Sequence, residues 1–98
     1  MKQLVKLSRE KGFISKDNII EPSLSYTYLW MCELQQWLRD KHECVIVILP
    51  FLLENGGITY EYTNYSTQID EELDHGDGPF DTYEIALEAA LMSALKQI

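Results

Sequence analysis

The sequence predicts an α+β domain of two layers, a small antiparallel sheet of two or three strands with helices packed on one face. Three observations carry this. Two stretches with helical spacing of apolar residues come first, two β-rich stretches separated by Asn55-Gly56-Gly57 follow, and an alanine-rich amphipathic stretch closes the chain. Strands joined by a tight turn pair antiparallel, and helices before and after such a hairpin cover one of its faces. The expected order is α-α-β-β-(β)-α, in a single domain spanning 1–98.

Leu4, Leu7 and Lys11 share one face of a short opening helix, with Gly12 placed for a left-handed cap. Residues 13–23 read as a connection broken by Asp17-Asn18 and Pro22. A longer helix is expected over about 24–41, with Ser23 or Ser25 as its N-cap. Trp30, Leu34, Trp37, Leu38 and Lys41 fall in about one quarter of its circumference, so this stripe faces the core.

Cys44-Val45-Ile46-Val47-Ile48-Leu49 is β-branched and short, which predicts a strand buried on both faces or centrally placed. After the Asn55-Gly56-Gly57 turn, residues 58–63 alternate with period two, putting Ile58, Tyr60 and Tyr62 on one side. A third, weaker strand is expected over about 67–73. Asp81 and Glu84 have capping-box spacing for the last helix, whose stripe is Tyr83, Leu87, Ala90, Leu91, Ala94 and Ile98, with Ile85 and Met92 off it. A sheet with one uncovered face, and those two residues off the stripe, point to a homodimer.

A chain of 98 residues has no room for a cofactor domain beside a substrate domain. Area scaling gives a folded surface of roughly 5,800 Å², with about 65% of the unfolded surface buried, so a core forms without staples. Cys32 and Cys44 are therefore read as reduced thiols of a cytoplasmic protein. Residues 1–7 are too charged for a signal peptide, and the apolar run 45–53 is about half a membrane span, so no membrane partner is expected.

The net charge of -8 argues against nucleic acid as a partner. It is also uneven. Residues 1–42 hold seven bases and five acids, whereas residues 43–98 hold one base and eleven acids. The acids Asp70, Glu71, Glu72, Asp74 and Asp77 form the candidate docking surface for a basic protein. The spacing Asp70-x-Glu72-x-Asp74 opens like a calcium loop, but His75 stands where that loop needs glycine and Asp81 where it needs glutamate. His42-x-Cys44 offers neither the paired ligands of a structural zinc site nor a third group to orient a nucleophile. No metal or cofactor is expected, and no catalytic constellation is found. The tyrosines and tryptophans offer stacking surface for bases, but Trp30 and Trp37 belong to a core stripe.

Two segments carry a resemblance. Leu34-Gln35-Gln36-Trp37-Leu38-Arg39-Asp40-Lys41-His42 with the strand after it, and the tail from Asp81 to Leu91 with Ala94-Leu95-Lys96-Gln97-Ile98, resemble a group of small proteins encoded by gut anaerobes and their phages or prophages. That resemblance implies a provenance and a fold, and transfers no catalytic residues. The tail is also similar to the helix that closes the sheet domain of HicB-type antitoxins, which implies an acidic partner of a small basic toxin. Such domains open with strands, whereas two helices are expected here.

Overall fold

Hydrophobic periodicity places the elements in order along the chain: α1 (Lys2–Glu10), α2 (Thr27–His42), β1 (Cys44–Leu52), β2 (Ile58–Ser66), β3 (Glu71–Phe80) and α3 (Tyr83–Lys96). The computed structural model describes residues 1–15 and 22–98; the expected Asp17-Asn18 break lies outside them. The strands form one antiparallel sheet in the order β1-β2-β3. α3 packs on all three strands, α2 on β1 and α3, and α1 on α3. The α+β, two-layer reading therefore holds, and the third strand forms.

The core lies between sheet and helices. Leu4 of α1, Trp30, Leu34 and Leu38 of α2, and Leu87, Leu91 and Leu95 of α3 are all sealed from water. Each such side chain is worth about 1.5–3 kcal/mol against exposure. α3 is buried over a wider arc than its predicted stripe, because Ala86 and Leu95 are sealed too and Met92 packs partly against the core. Three alanines on that arc bring the helix close to the sheet. Trp37 is half-buried at the rim, where Phe13 meets it edge-on with ring centroids 5.6 Å apart.

Four expectations are corrected. Neither Ser23 nor Ser25 caps α2 by its side chain. Residues 24–26 form a turn whose first carbonyl, that of Ser23, accepts from Tyr26 N–H and Thr27 Oγ1, so the helix begins only at Thr27. In α3 the cap is Thr82, not Asp81: its backbone is extended and its hydroxyl accepts from Ile85 N–H at 3.1 Å. The third strand runs from Glu71 to Phe80, because Thr67 N–H closes the β1–β2 ladder on Glu43 O and the next residues form a turn with Asp70 at φ 55°.

The fourth correction matters most. β1 is neither central nor buried on both faces. The hairpin places β2 in the middle, and no described strand pairs with the far side of β1. Cys44 and Ile46 are buried under helices, while Val47 and Leu49 of the other face are exposed. β1 also runs on through Pro50 to Leu52, and every residue from Leu49 to Leu53 is exposed. The hairpin thus projects past its helices, within a flat molecule of 43 × 35 × 17 Å.

Candidate functional site

The candidate acids occupy β3 and the turn before it, where a break in the β2–β3 register divides them. Asp70, Glu71, Glu72 and Asp77 are exposed, while Asp74 is half-buried and turned to the helices. An irregularity in the β2–β3 pairing separates Tyr65↔Glu72 from Asn64↔Asp74, so neighbouring acids face opposite sides of the sheet. On the outer face His75 Nδ1 lies 3.3 Å from Glu72, and its Nε2 lies 3.8 Å from Asp77. No lysine or arginine among the described residues pairs with these acids. Among the described residues no three His, Cys, Asp or Glu side chains come together as a metal would require.

Asp74 instead anchors a polar network that sequence reading missed. Asn64, fully buried, donates through Nδ2 to Asp74 Oδ1 at 2.9 Å and to Ala90 O of α3 at 3.0 Å. Ser93 of α3 donates to Asp74 Oδ2, and Tyr62 reaches the same oxygen at 3.5 Å. Two acceptors fix which end of the amide is nitrogen, leaving Asn64 Oδ1 buried without a partner. The available signal was the series Tyr60, Tyr62, Asn64 on the inward side of an alternating strand, since a buried asparagine requires partners. Gly76 completes the arrangement: a Cβ there would sit 2.2 Å from the Tyr62 ring.

Cys44 opens β1 beside this network and is 1% exposed. Burial, and then the negative charge of Asp74, push its thiol above the ordinary cysteine range. A nucleophilic cysteine needs the reverse, a lowered value in an electropositive setting. His42 does not serve it as a base; its ring packs against Trp37 with centroids 4.7 Å apart. Cys44 borders an open cleft of about 540 Å³ whose wall includes Lys41, His42, Ser66 and Gln97. Cys32 accounts first for the raised hydroxyl of Tyr28, through a side-chain hydrogen bond. Tyr28 and Tyr60 each meet Tyr83 edge-on, at 6.3 and 6.2 Å, which ties α2, β2 and α3 rather than presenting flat stacking faces.

No helix among the described residues is long and apolar enough to cross a membrane. No family model, curated protein or solved structure matches the chain.

Proposed function

We propose that the chain is a small cytoplasmic binding protein of phage or mobile-element type, without chemistry of its own, that docks a basic protein partner through the acidic edge of its sheet. The observation that carries this reading is the exposed set Asp70, Glu71, Glu72 and Asp77, which no lysine or arginine among the described residues neutralises. Asp81 and Glu84 extend the same negative field to the start of α3. Like charges that no described lysine or arginine neutralises raise the local potential and favour encounter with a cation-rich surface. The sequence resemblances support the reading too: one group gives the provenance, and the HicB-type tail gives the partner chemistry. The second likeness is confined to the tail, because α1 and α2 precede the sheet here.

The test is co-purification from the native host at low salt with the wild-type chain and with Asp70→Lys, Glu71→Lys, Glu72→Lys and Asp77→Lys combined. The expected partner is basic, elutes from the wild type as salt shortens the screening length to about 3–4 Å, and is absent from the variant. A folded variant that keeps every interaction overturns the reading.

A further inference from the structure

β1 is regular enough for its free backbone groups to be read one by one. Glu43 O accepts from Thr67 N–H at 2.9 Å, and Leu53 N–H donates to Gly57 O at 2.7 Å. The nine pairs between these ends, from Cys44↔Ser66 to Leu52↔Ile58, carry no irregularity. An antiparallel ladder alternates, so the odd-numbered residues from Glu43 to Leu53 bond to β2, and Cys44, Ile46, Ile48, Pro50 and Leu52 present their backbone groups to the free edge. Two details agree with this parity. Gln35 Nε2 reaches Ile46 O at 3.4 Å, and Pro50, with no N–H to donate, occupies a free-edge position.

The strand is also covered at one end only. Cys44 and Ile46 lie under the helix layer, whereas Leu49 to Leu53 overhang it. A two-fold axis through the middle of β1 sets each overhang beside the covered half of another copy. We propose that the chain forms a homodimer in which β1 pairs antiparallel with β1 of a second copy about an axis at Ile48, making one continuous six-stranded sheet with all helices on one side.

One complementarity selects that register. Centred on Ile48, Pro50 stands opposite Ile46 of the second copy, so the donor that proline lacks falls at the carbonyl Gln35 already serves. An axis at Val47 or Leu49 would set Pro50 opposite Cys44 or Ile48 and leave an edge carbonyl unpaired. An axis at Ile46 would leave the overhang outside the ladder. On the outer face the chosen register puts Val47 beside Leu49 of the second copy and Val45 beside Phe51, joining two apolar stripes. Val47, Leu49, Phe51 and Leu52 are 40, 43, 45 and 78% exposed. That is roughly 400 Å² of apolar surface, about half of what a standard interface buries per partner, so the dimer is weak and dissociates on dilution.

Sedimentation velocity on the full chain from about 10 μM to about 1 mM, the range of weak association, reads the proposal directly. The wild type is expected to pass from monomer to dimer. Leu49→Lys, whose side chain faces away from the core, is expected to keep its circular dichroism and to associate at least about tenfold more weakly. Under mild oxidation Val47→Cys and Leu49→Cys in one chain are expected to give cross-linked dimer, while each alone gives no more than the wild type with its native Cys32 and Cys44. A wild type that stays monomeric throughout, or a Leu49→Lys dimer of unchanged strength, overturns the proposal. Cross-linking by Val47→Cys alone moves the axis and overturns the register. Leu49→Lys leaves Asp70, Glu71, Glu72 and Asp77 intact, so failure here is separable from failure of the acidic-edge reading.

Discussion

The two edges of one small sheet are built in opposite ways. β3 carries Glu71, Glu72, His75 and Asp77, includes Gly76, Gly78 and Pro79, and pairs with β2 through two irregularities. Charges, proline and bulges are the devices that keep an edge from accepting another strand. β1 carries no charge from Cys44 to Leu52, pairs without interruption, and has one proline, Pro50, at a free-edge position. The contrast is built into 37 residues of sheet and turn, from Cys44 to Phe80. One edge carries the features that discourage a further strand, and the other lacks them.

Their attachment to the helices differs in the same sense, and that is where the contrast can be broken hardest. β1 is held by apolar contacts of Cys44 and Ile46, whereas β3 adds to Leu73 and Phe80 a polar anchor, the carboxylate of Asp74. Asp74→Ala would remove one of the two acceptors of the buried Asn64 amide and the acceptor of the Ser93 hydroxyl. Hydrogen bonds to a charged acceptor are worth about 1.5–3 kcal/mol, and several act together here. The expected loss is about 3 kcal/mol in urea unfolding. A loss below about 1 kcal/mol would mean that β3 is held by something other than this polar stitch.

Gly76→Ala sharpens the same point from the backbone side. The added methyl collides with the ring of Tyr62, a buried residue that also packs on Phe80 at 5.9 Å. Overpacking of this kind costs about 1–3 kcal/mol, so a drop of about 2 kcal/mol is expected, and Tyr62→Leu in the same chain should recover part of it. Independent, additive losses for the two substitutions would show that ring and glycine are not coupled.

These two sites also mark how far sequence alone reaches. Element types and order were legible because they follow from period: Leu34 and Leu38 on a helical stripe, Tyr60 and Tyr62 on an alternating strand, Gly12 at a left-handed cap. Position in the sheet was not. The run from Cys44 to Leu49 has the composition of a buried central strand, yet β-branched residues fit any pleated surface, and strand order depends on which partners lie beside it in space. β3 lies further along than its sequence predicts because Glu71–Phe80 has weak strand propensity of its own; pairing with β2 and contacts from α3 impose its conformation. The candidate acids were legible as a run but not as a surface. Only the register reveals that Asp74 turns inward while Glu72 faces out.

Cys44 couples the two edges electrostatically, since it begins β1 and feels the charge of Asp74 on β3 across β2. Burial first, and that charge second, hold its folded thiol above the ordinary value. In the unfolded chain a thiol ionises near pH 8.5. Below that pH both states keep the proton and the group has no effect on the pH dependence of stability. Above it the unfolded state loses the proton while the folded state retains it, so stability falls with rising pH, by at most about 1.4 kcal/mol per unit. Tyr28 is raised as well, but from an ordinary value of 10.0, so its contribution begins at higher pH. Urea midpoints for the wild type are therefore expected to decline between about pH 8.5 and 10. Cys44→Ala loses some core volume at every pH, yet its midpoints should stay level across that window. A wild type as level as the variant would mean that the thiol ionises in place, and that the start of β1 is wetter than its burial implies.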